Sequence, residues 1–317
     1  MEYNNNFFKE IYNDDIIYHY TKASTAIDYI LYNNELKFNK ARQSNDPIES
    51  KKPDRRTVYY DSEIDKPRTL QRHIDENELH NFVNDLEEQF SHICFCQNRM
   101  GEDFASQYYM SGFEGHEELF GFTKLRMWDQ YADRFSGVCL ALSKSKILSL
   151  NDEKFNLIEG EVKYLTFQDL LVNKVGDIQG NHLAKVGKEV YKQQLEKLVK
   201  DSFFCKHTDY SGEAEYRIGT LFDKTKCSLE IIRDEMVFDR TMMLDILNCM
   251  KAIFFSSFAN KRQKNDLLEY ANKLDVPIFE MQWKHDSFEL RDYRWWIELI
   301  KDVQSKTASA LFDMDRE

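Results

Sequence analysis

The sequence predicts an α+β fold with a mixed sheet. Short β-branched and aromatic runs, typical of strands, alternate with longer amphipathic segments, typical of helices, over 317 residues. The spacing between them is irregular, whereas a doubly wound parallel sheet has regular strand–helix–strand units. The chain has only 11 Gly and 4 Pro, which argues against long flexible linkers. We therefore expect a single domain over residues 1–300 and a polar tail over residues 301–317.

In the first third of the chain, the run Ile-Ile-Tyr-His-Tyr at residues 16–20 predicts the first strand. Residues 21–24 can cap the helix that follows, whose apolar stripe is Ala26, Ile27, Ile30 and Leu31. The sequence Asn-Asp-Pro at residues 45–47 predicts a turn, and the charged, aperiodic stretch 50–72 predicts a surface excursion. Further elements are expected as strands at 36–38 and 91–96 and a helix at 73–89.

The remaining two thirds continue the same alternation. Helices are expected at 120–132, 182–203 and 261–274, and the second of these is predicted to be the longest. In the first helix, Leu125, Trp128 and Tyr131 are expected to face inward. The predicted strands cover residues 137–142, 161–165, 218–222, 252–255 and 277–280.

Two carboxylates, Glu213 and Glu215, stand close together just after a turn-rich segment. They follow residues 207–212 and lead into an apolar run, so a strand is predicted from Glu213 onward. Because side chains alternate between the faces of a strand, we expect Glu213, Glu215 and Arg217 on one face. The two like charges need a cation opposite them. Arg217 or a lysine could provide it, and so could a ligand that develops positive charge.

The net charge and the cysteines indicate which partners and which cellular compartment to expect. A formal net charge of −12 disfavours non-specific binding to a phosphate backbone, although the basic cluster Lys51, Lys52, Arg55 and Arg56 could contact a polyanion. The six cysteines are spread along the chain and mostly in apolar runs, and the amino terminus does not resemble a signal peptide. No apolar run reaches the length of a membrane span. We expect a reduced, cytoplasmic protein with no membrane partner.

Several common kinds of site have no motif in this sequence. There is no dinucleotide-binding Gly-x-Gly-x-x-Gly, no P-loop, no Gly-x-Ser-x-Gly elbow and no His-Glu-x-x-His. The pairs Cys94-x-Cys96 and Cys205-x-His207 offer zinc-type donors, but their one-residue spacing is shorter than usual, and buried cysteines more often serve as small apolar residues. We therefore assign no metal site.

A distributed set of residues is the stronger candidate for chemistry. It comprises His19, Tyr20 and Thr21 at the end of the first strand, Trp128 and Tyr131 on a helix, and the Glu213–Glu215 pair. Each member also has a structural interpretation. A histidine at a strand end is commonly structural, an aromatic pair at i, i+3 is commonly core, and a carboxylate pair beside Arg217 is commonly a salt bridge.

The order of these segments resembles a widespread bacterial family of unknown function. The motifs are Tyr-His-Tyr-Thr at 18–21, Asn-Asp-Pro-x-Glu at 45–49, Ile-Cys-Phe at 93–95, Met-Trp-x-x-Tyr-Ala-Asp at 127–133 with Gly-Val-Cys at 137–139, and Glu-x-Glu-Tyr-Arg at 213–217. That family is grouped with the ADP-ribosyltransferase-like fold, and its members occur among mobile-element and phage-defence genes. The resemblance covers residues 16–280 and implies a mostly antiparallel split sheet with flanking helices.

The resemblance implies a role for each matched residue. His19 would bond the adenosine ribose of NAD with Thr21 beside it, and Tyr131, or as second choice Trp128, would stack on nicotinamide. Glu215 would stabilise the oxocarbenium ion formed as nicotinamide leaves, and Glu213 would orient or deprotonate the acceptor. Tyr20, Asn45 and Arg217 complete the expected NAD-contacting set. The chain lacks the Ser-Thr-Ser segment of the arginine-serine-glutamate class of these enzymes.

The resemblance thus implies a mono-ADP-ribosyltransferase that uses NAD as a substrate to modify a nucleic acid or a protein. It would be a toxin-type effector in phage defence, with a neutralising antitoxin or a chaperone as a possible further partner. A different class stays open: an inactive module of the same fold that binds a nucleotide or RNA. A nuclease is disfavoured, because no metal-binding carboxylate cluster or second catalytic histidine stands out in the sequence.

Overall fold

The computed structural model describes residues 5–41, 58–59, 70–99, 119–172, 178–222, 242–285 and 288–314. Over these ranges the chain is α+β, with sheets that are mixed and mostly antiparallel, as the sequence predicts. The Asn45 turn and most of the 50–72 excursion lie outside the described residues.

The strands are numbered in chain order. They are β1 (Ile16–Thr21), β2 (Glu35–Lys37), β3 (Asn39–Lys40), β4 (Val58–Tyr59), β5 (Phe90–Gln97), β6 (Val138–Ser143), β7 (Leu157–Glu161), β8 (Lys163–Leu165), β9 (Ile178–Gln179), β10 (Cys205–His207), β11 (Glu215–Leu221), β12 (Met243–Asp245), β13 (Met250–Ser256), β14 (Ile278–Trp283) and β15 (Phe288–Asp292).

The helices are numbered in the same way. They are α1 (Asn5–Ile11), α2 (Ala23–Thr25), α3 (Leu70–Gln89), α4 (Leu125–Gln130), α5 (Lys144–Asn151), α6 (Phe167–Val172), α7 (Gly180–Val186), α8 (Lys188–Ser202), α9 (Lys261–Leu274) and α10 (Tyr293–Met314). A π-helix, Ala26–Leu31, continues α2, and 3₁₀ turns cover Gly121–Thr123 and Thr208–Glu213.

The chain divides into two compact units. Unit 1 comprises residues Met1–Leu36, Phe95–Leu150 and Asp245–Glu317, and unit 2 comprises Lys37–Cys94 and Asn151–Leu244. A division into compact units does not test whether each unit folds independently. The expectation of one domain over residues 1–300 therefore stays a prediction.

In unit 1 the strand order is β15-β14-β13-β6-β1-β5, with β13 and β14 parallel and the other neighbours antiparallel. All six residues of β6 are buried, as expected for a continuous apolar run flanked by strands on both sides. One face of this sheet packs against an aromatic cluster. Its largest fully buried members are Phe8, Tyr18, Phe120, Phe122, Trp128 and Phe254.

In unit 2, β7 pairs antiparallel with β11, β11 neighbours β5, and β3 pairs antiparallel with β5. Strands β8 and β10 form a separate parallel pair. Helices α3, α7 and α8 contribute Leu79, Val83, Leu183, Leu195 and Val199 to a core around Phe90. Phe90 stacks on Phe203 with ring centroids 3.8 Å apart.

Two predicted helices are shorter than expected. The segment 182–203 is broken at Gly187, where φ is +84° in a conformation that favours glycine, so α7 and α8 are separate and α10, with 22 residues, is the longer helix. The segment 120–132 holds only the six residues of α4, and Leu125 and Tyr131 are exposed while Trp128 is buried. Tyr131 points outward because the helix ends just before it.

Three further expectations differ in detail. The N-cap of α2 is Lys22, which lies within the expected residues 21–24, but it makes no side-chain capping hydrogen bond. The strand expected at 161–165 is split at Val162 into β7 and β8. The segment after residue 300 continues α10 as far as Met314.

Candidate functional site

The Glu213–Glu215 segment is not one continuous strand. Glu213 ends the 3₁₀ turn, Ala214 adopts a left-handed conformation with φ of 45°, and β11 begins at Glu215. The prediction of a strand from Glu213 is therefore wrong, because the backbone reverses its local twist between the two carboxylates. Alternation along β11 does place Glu215 and Arg217 on the same face, as predicted.

Two cations hold the two carboxylates together. Lys206 Nζ, from β10, lies 2.9 Å from Glu213 Oε2 and 2.7 Å from Glu215 Oε2. Arg217 Nε donates to Glu215 Oε1 across 2.5 Å. We call these four residues the charge quartet. Their formal charges cancel, so the carboxylate repulsion expected from the sequence is compensated by Arg217 and a lysine.

The quartet is buried: Glu213 and Arg217 are 2% exposed, Glu215 3% and Lys206 5%. Backbone groups around it are also engaged, since Arg217 Nη1 donates to the Phe203 carbonyl at 2.6 Å and Glu215 N donates to Tyr164 Oη at 2.8 Å. Such a network fixes the orientation of each charged group, because a buried charge that loses its partner is costly.

The environment keeps Glu215 ionised. Burial raises the pKa of its carboxyl, but the positive charges of Arg217 and Lys206 outweigh burial and lower the pKa to about 2. Glu215 therefore carries a full negative charge at neutral pH. Burial also raises the pKa of Tyr164, so the neighbouring phenol stays protonated.

Two side chains of β5 face Glu215. His92 and Cys94 are two residues apart on the strand, and their ligating atoms and a Glu215 oxygen all lie within 4.8 Å of one another. His92 is buried, whereas Cys94 is exposed although residues 90–93 of the same strand are buried. Desolvation by the surrounding protein raises the pKa of the Cys94 thiol well above its usual value. Cys94 is thus exposed as a residue, while its thiol group is desolvated by the protein around it.

A glycine determines how closely Phe90 approaches β11. A Cβ at Gly219 would lie 2.5 Å from the Phe90 ring, closer than real Cβ contacts allow. The same ring stacks on His92 at a centroid distance of 5.4 Å and an interplanar angle of 18°. The close approach at Gly219 therefore sets the position of the ring that supports His92.

The predicted residues at the end of β1 belong to unit 1. His19 is half-buried and contacts Phe95 edge-on at 5.7 Å, Thr21 is half-buried, and Tyr20 is buried. Tyr20 meets Trp128 edge-on at 5.4 Å and donates its hydroxyl to the Gly121 carbonyl. Of these strand-end residues, His19 and Thr21 are the ones a ligand could reach.

The two candidate stacking residues differ in exposure. Trp128 is 0% exposed and donates its indole N–H to the Phe122 carbonyl, so its ring is part of the core. Tyr131 is 41% exposed. A ring that stacks on a ligand must be accessible, and of these two rings Trp128 is not.

The loop after α4 is strained. Asp133, Arg134 and Phe135 all have positive φ, between 51° and 67°. A left-handed conformation costs about 1–2 kcal/mol for each such residue. Ser136 Oγ donates to the Asp133 carbonyl, and Gly137 packs so closely that a Cβ there would lie 2.3 Å from the Thr21 carbonyl oxygen. The loop is thus fixed against the end of β1.

Sequence reasoning missed Lys206, His92 and Tyr164. The period-two pattern His92-x-Cys94 on a predicted strand would have indicated two donors on one face. Lys206 had no comparable pattern, since it comes from β10 and meets the carboxylates only through the tertiary fold. Asn45 lies outside the described residues. The zinc-type pairs considered from sequence do not appear in the cluster found, which joins Cys94 to His92 and Glu215 instead.

A family model described as a protein of unknown function (DUF2971) matches residues 127–218. This segment carries a domain of unknown function. It includes Trp128, Tyr131 and the whole charge quartet. No curated protein and no solved structure matches the chain significantly. Among the described helices, none is both long and apolar enough to cross a membrane.

Proposed function

We propose that this chain is an NAD-dependent mono-ADP-ribosyltransferase that modifies a macromolecular acceptor, as a toxin-type effector in phage defence. The proposal combines the resemblance of the sequence motifs to the ADP-ribosyltransferase-like families with one observation. Glu215 is a buried carboxylate whose pKa is about 2 and whose orientation is fixed by Arg217 and Lys206.

The chemistry needs a fixed anion. In the proposed reaction, the bond between the anomeric carbon of the ribose and nicotinamide breaks, and the electron pair leaves with nicotinamide. The ribose becomes an oxocarbenium ion, which a nearby carboxylate stabilises, as in glycoside hydrolysis. The acceptor atom then bonds to the anomeric carbon and releases its proton.

The other roles follow from the resemblance and from exposure. Glu213 would orient the acceptor or take up its proton, while Lys206 holds it beside Glu215. His19 and Thr21 would bond the ribose of NAD, and Tyr131, rather than the buried Trp128, would stack on nicotinamide.

A second candidate function is a binding module that does not cleave NAD. It is favoured by the charge balance of the quartet, because Arg217 and Lys206 already offset the charge of Glu215. A carboxylate with that compensation exerts a weaker field on a developing cation than an uncompensated one. Such a module would bind a nucleotide or RNA.

The test is incubation of the protein with NAD labelled in its adenosine part and with cell lysate, followed by separate protease, DNase and RNase digestion. We expect label in macromolecules, removed by only one kind of digestion, and we expect the Glu215→Gln variant to transfer none. Absence of label with the wild-type protein, together with RNA binding and no NAD binding by calorimetry, supports the binding module.

A second buried carboxylate provides a control for any loss of stability in the Glu215→Gln variant. Glu280, in unit 1, is also a buried carboxylate held by two cations, Lys264 at 2.6 Å and Arg291 at 3.4 Å. Glu280→Gln should therefore perturb folding as Glu215→Gln does, yet keep transfer. Equal loss of transfer in both variants, or retained transfer in Glu215→Gln, contradicts the proposed role of Glu215.

A further inference from the structure

The trio His92, Cys94 and Glu215 brings three different metal-binding groups to one point. An imidazole nitrogen, a sulfur and a carboxylate oxygen lie within 4.8 Å of one another. Two of them come from one face of β5, and the third comes from the first residue of β11, which neighbours β5. Neighbouring strands of one sheet form a rigid frame, and the donor atoms already lie close enough that small side-chain rotations would bring them to one ion.

The donor set selects the kind of metal. Thiolate and imidazole together suit Zn²⁺, which accepts Cys, His and Asp or Glu in tetrahedral sites, whereas Mg²⁺ and Ca²⁺ require oxygen donors. Three protein ligands leave a fourth position, as in zinc sites that bind water or substrate. Cys94 is the exposed residue of the trio, whereas His92 and Glu215 are buried.

The surrounding groups are compatible with an ion at this place. A carboxylate offers about four lone-pair positions, and Arg217 and Lys206 each take one on Glu215. Hydrogen-bonded neighbours of this kind orient the ligands of metal sites. Phe90 stacks on the His92 ring and fixes its plane. Glu213 balances the charge of Lys206, which limits repulsion of a divalent cation.

We propose that His92, Cys94 and Glu215 form a zinc-binding site with one open coordination position. The Cys94 thiol loses its proton to solvent when the metal binds, because the thiolate is the ligand. The inference is independent of the proposed transferase activity. If both hold, zinc and NAD compete for Glu215, and the zinc-loaded protein is the inactive form.

The test uses Co²⁺ as a spectroscopic probe of the 317-residue chain, after reduction and removal of metals with a chelator, and without NAD. We expect a thiolate-to-cobalt charge-transfer band that saturates at one equivalent and disappears when Zn²⁺ displaces Co²⁺. Cys94→Ser should lose the band, and His92→Ala should weaken binding at least about tenfold, since each removes one of three ligands.

Cys205→Ser is the matched control. Cys205 is a partly exposed cysteine of the same unit and is not a member of the trio. Its variant should keep the band and the affinity of the wild type. No saturating band in the wild-type protein, or an unchanged band in Cys94→Ser, overturns the proposal, and neither outcome bears on NAD cleavage.

Discussion

Arg217 Nε donates a 2.5 Å hydrogen bond to Glu215 Oε1 between two side chains that are almost completely buried. The two residues are separated by one position on β11 and share a face of the strand. Lys206 binds the other oxygen of the same carboxylate. Glu215 is therefore a structural ion-pair partner, and its proposed catalytic role must be measured separately from this structural one.

Arg217→Met should lower the free energy of unfolding by about 3–5 kcal/mol, because it leaves a buried carboxylate with half of its compensation. The measurement is urea denaturation, read as a lower midpoint at an unchanged slope. Lys306→Gln, which breaks an exposed pair with Asp302, is the control and should change stability by about 0.5 kcal/mol or less. A midpoint for Arg217→Met equal to that of the control refutes this account.

Acid should weaken the fold through Glu215. Its pKa falls from an ordinary value of 4.5 to about 2 in the folded protein, so the unfolded chain takes up the proton first. The stabilisation is complete above about pH 4.5 and is lost as the pH falls toward 2. Unfolding midpoints measured across this range should fall less steeply for Glu215→Gln than for the wild type. Parallel curves would count against the pKa shift.

Only part of the charge quartet could be predicted from the sequence. Alternation along a strand is a local property, so the shared face of Glu215 and Arg217 was predictable. The conformation of Ala214 was not, because a left-handed alanine contradicts its intrinsic preference and is imposed by the surrounding fold. Lys206 could not be chosen among the lysines, since tertiary structure alone brings β10 to the carboxylates.

Trp128 and Tyr131, the two candidates for stacking on nicotinamide, should respond differently to substitution because they differ in exposure. Trp128→Ala should cost about 3–5 kcal/mol of stability, since it removes a fully buried ring. Tyr131→Ala should shift the thermal midpoint little and, under the proposed function, weaken NAD binding measured by calorimetry. Unchanged NAD binding in Tyr131→Ala would remove that residue from the proposed nicotinamide contact.

The segment around Trp128 shows where hydrophobic periodicity fails to predict which residues are buried. The i, i+3, i+6 pattern of Leu125, Trp128 and Tyr131 predicted one inward arc, but a helix of six residues has room for less than two turns. Only the middle residue faces the core. By contrast, the predicted bounds of α9, 261–274, are the observed ones, and the structure shows a capping box of Asn260 and Gln263 at the start of this amphipathic helix of 14 residues.

The left-handed loop offers a stabilising substitution. Arg134 is exposed and has φ of 53°, so Arg134→Gly should relieve strain and raise the free energy of unfolding by up to about 1 kcal/mol. Lys197→Gly, at an exposed position within α8, should instead lower it by about 1 kcal/mol. Denaturation midpoints that fall in both variants would show that Arg134 contributes a contact worth more than the strain.

Gly219 has no side chain, yet it influences the position of the His92 imidazole through Phe90. Its missing Cβ lets the Phe90 ring lie against β11, and that ring in turn holds the imidazole of His92. A substitution at Gly219 would push the ring and change the aim of a proposed metal ligand without removing any donor atom. Under the proposed zinc site, a change at Gly219 therefore alters metal affinity while all three donors remain, whereas a change at His92 or Cys94 removes a donor.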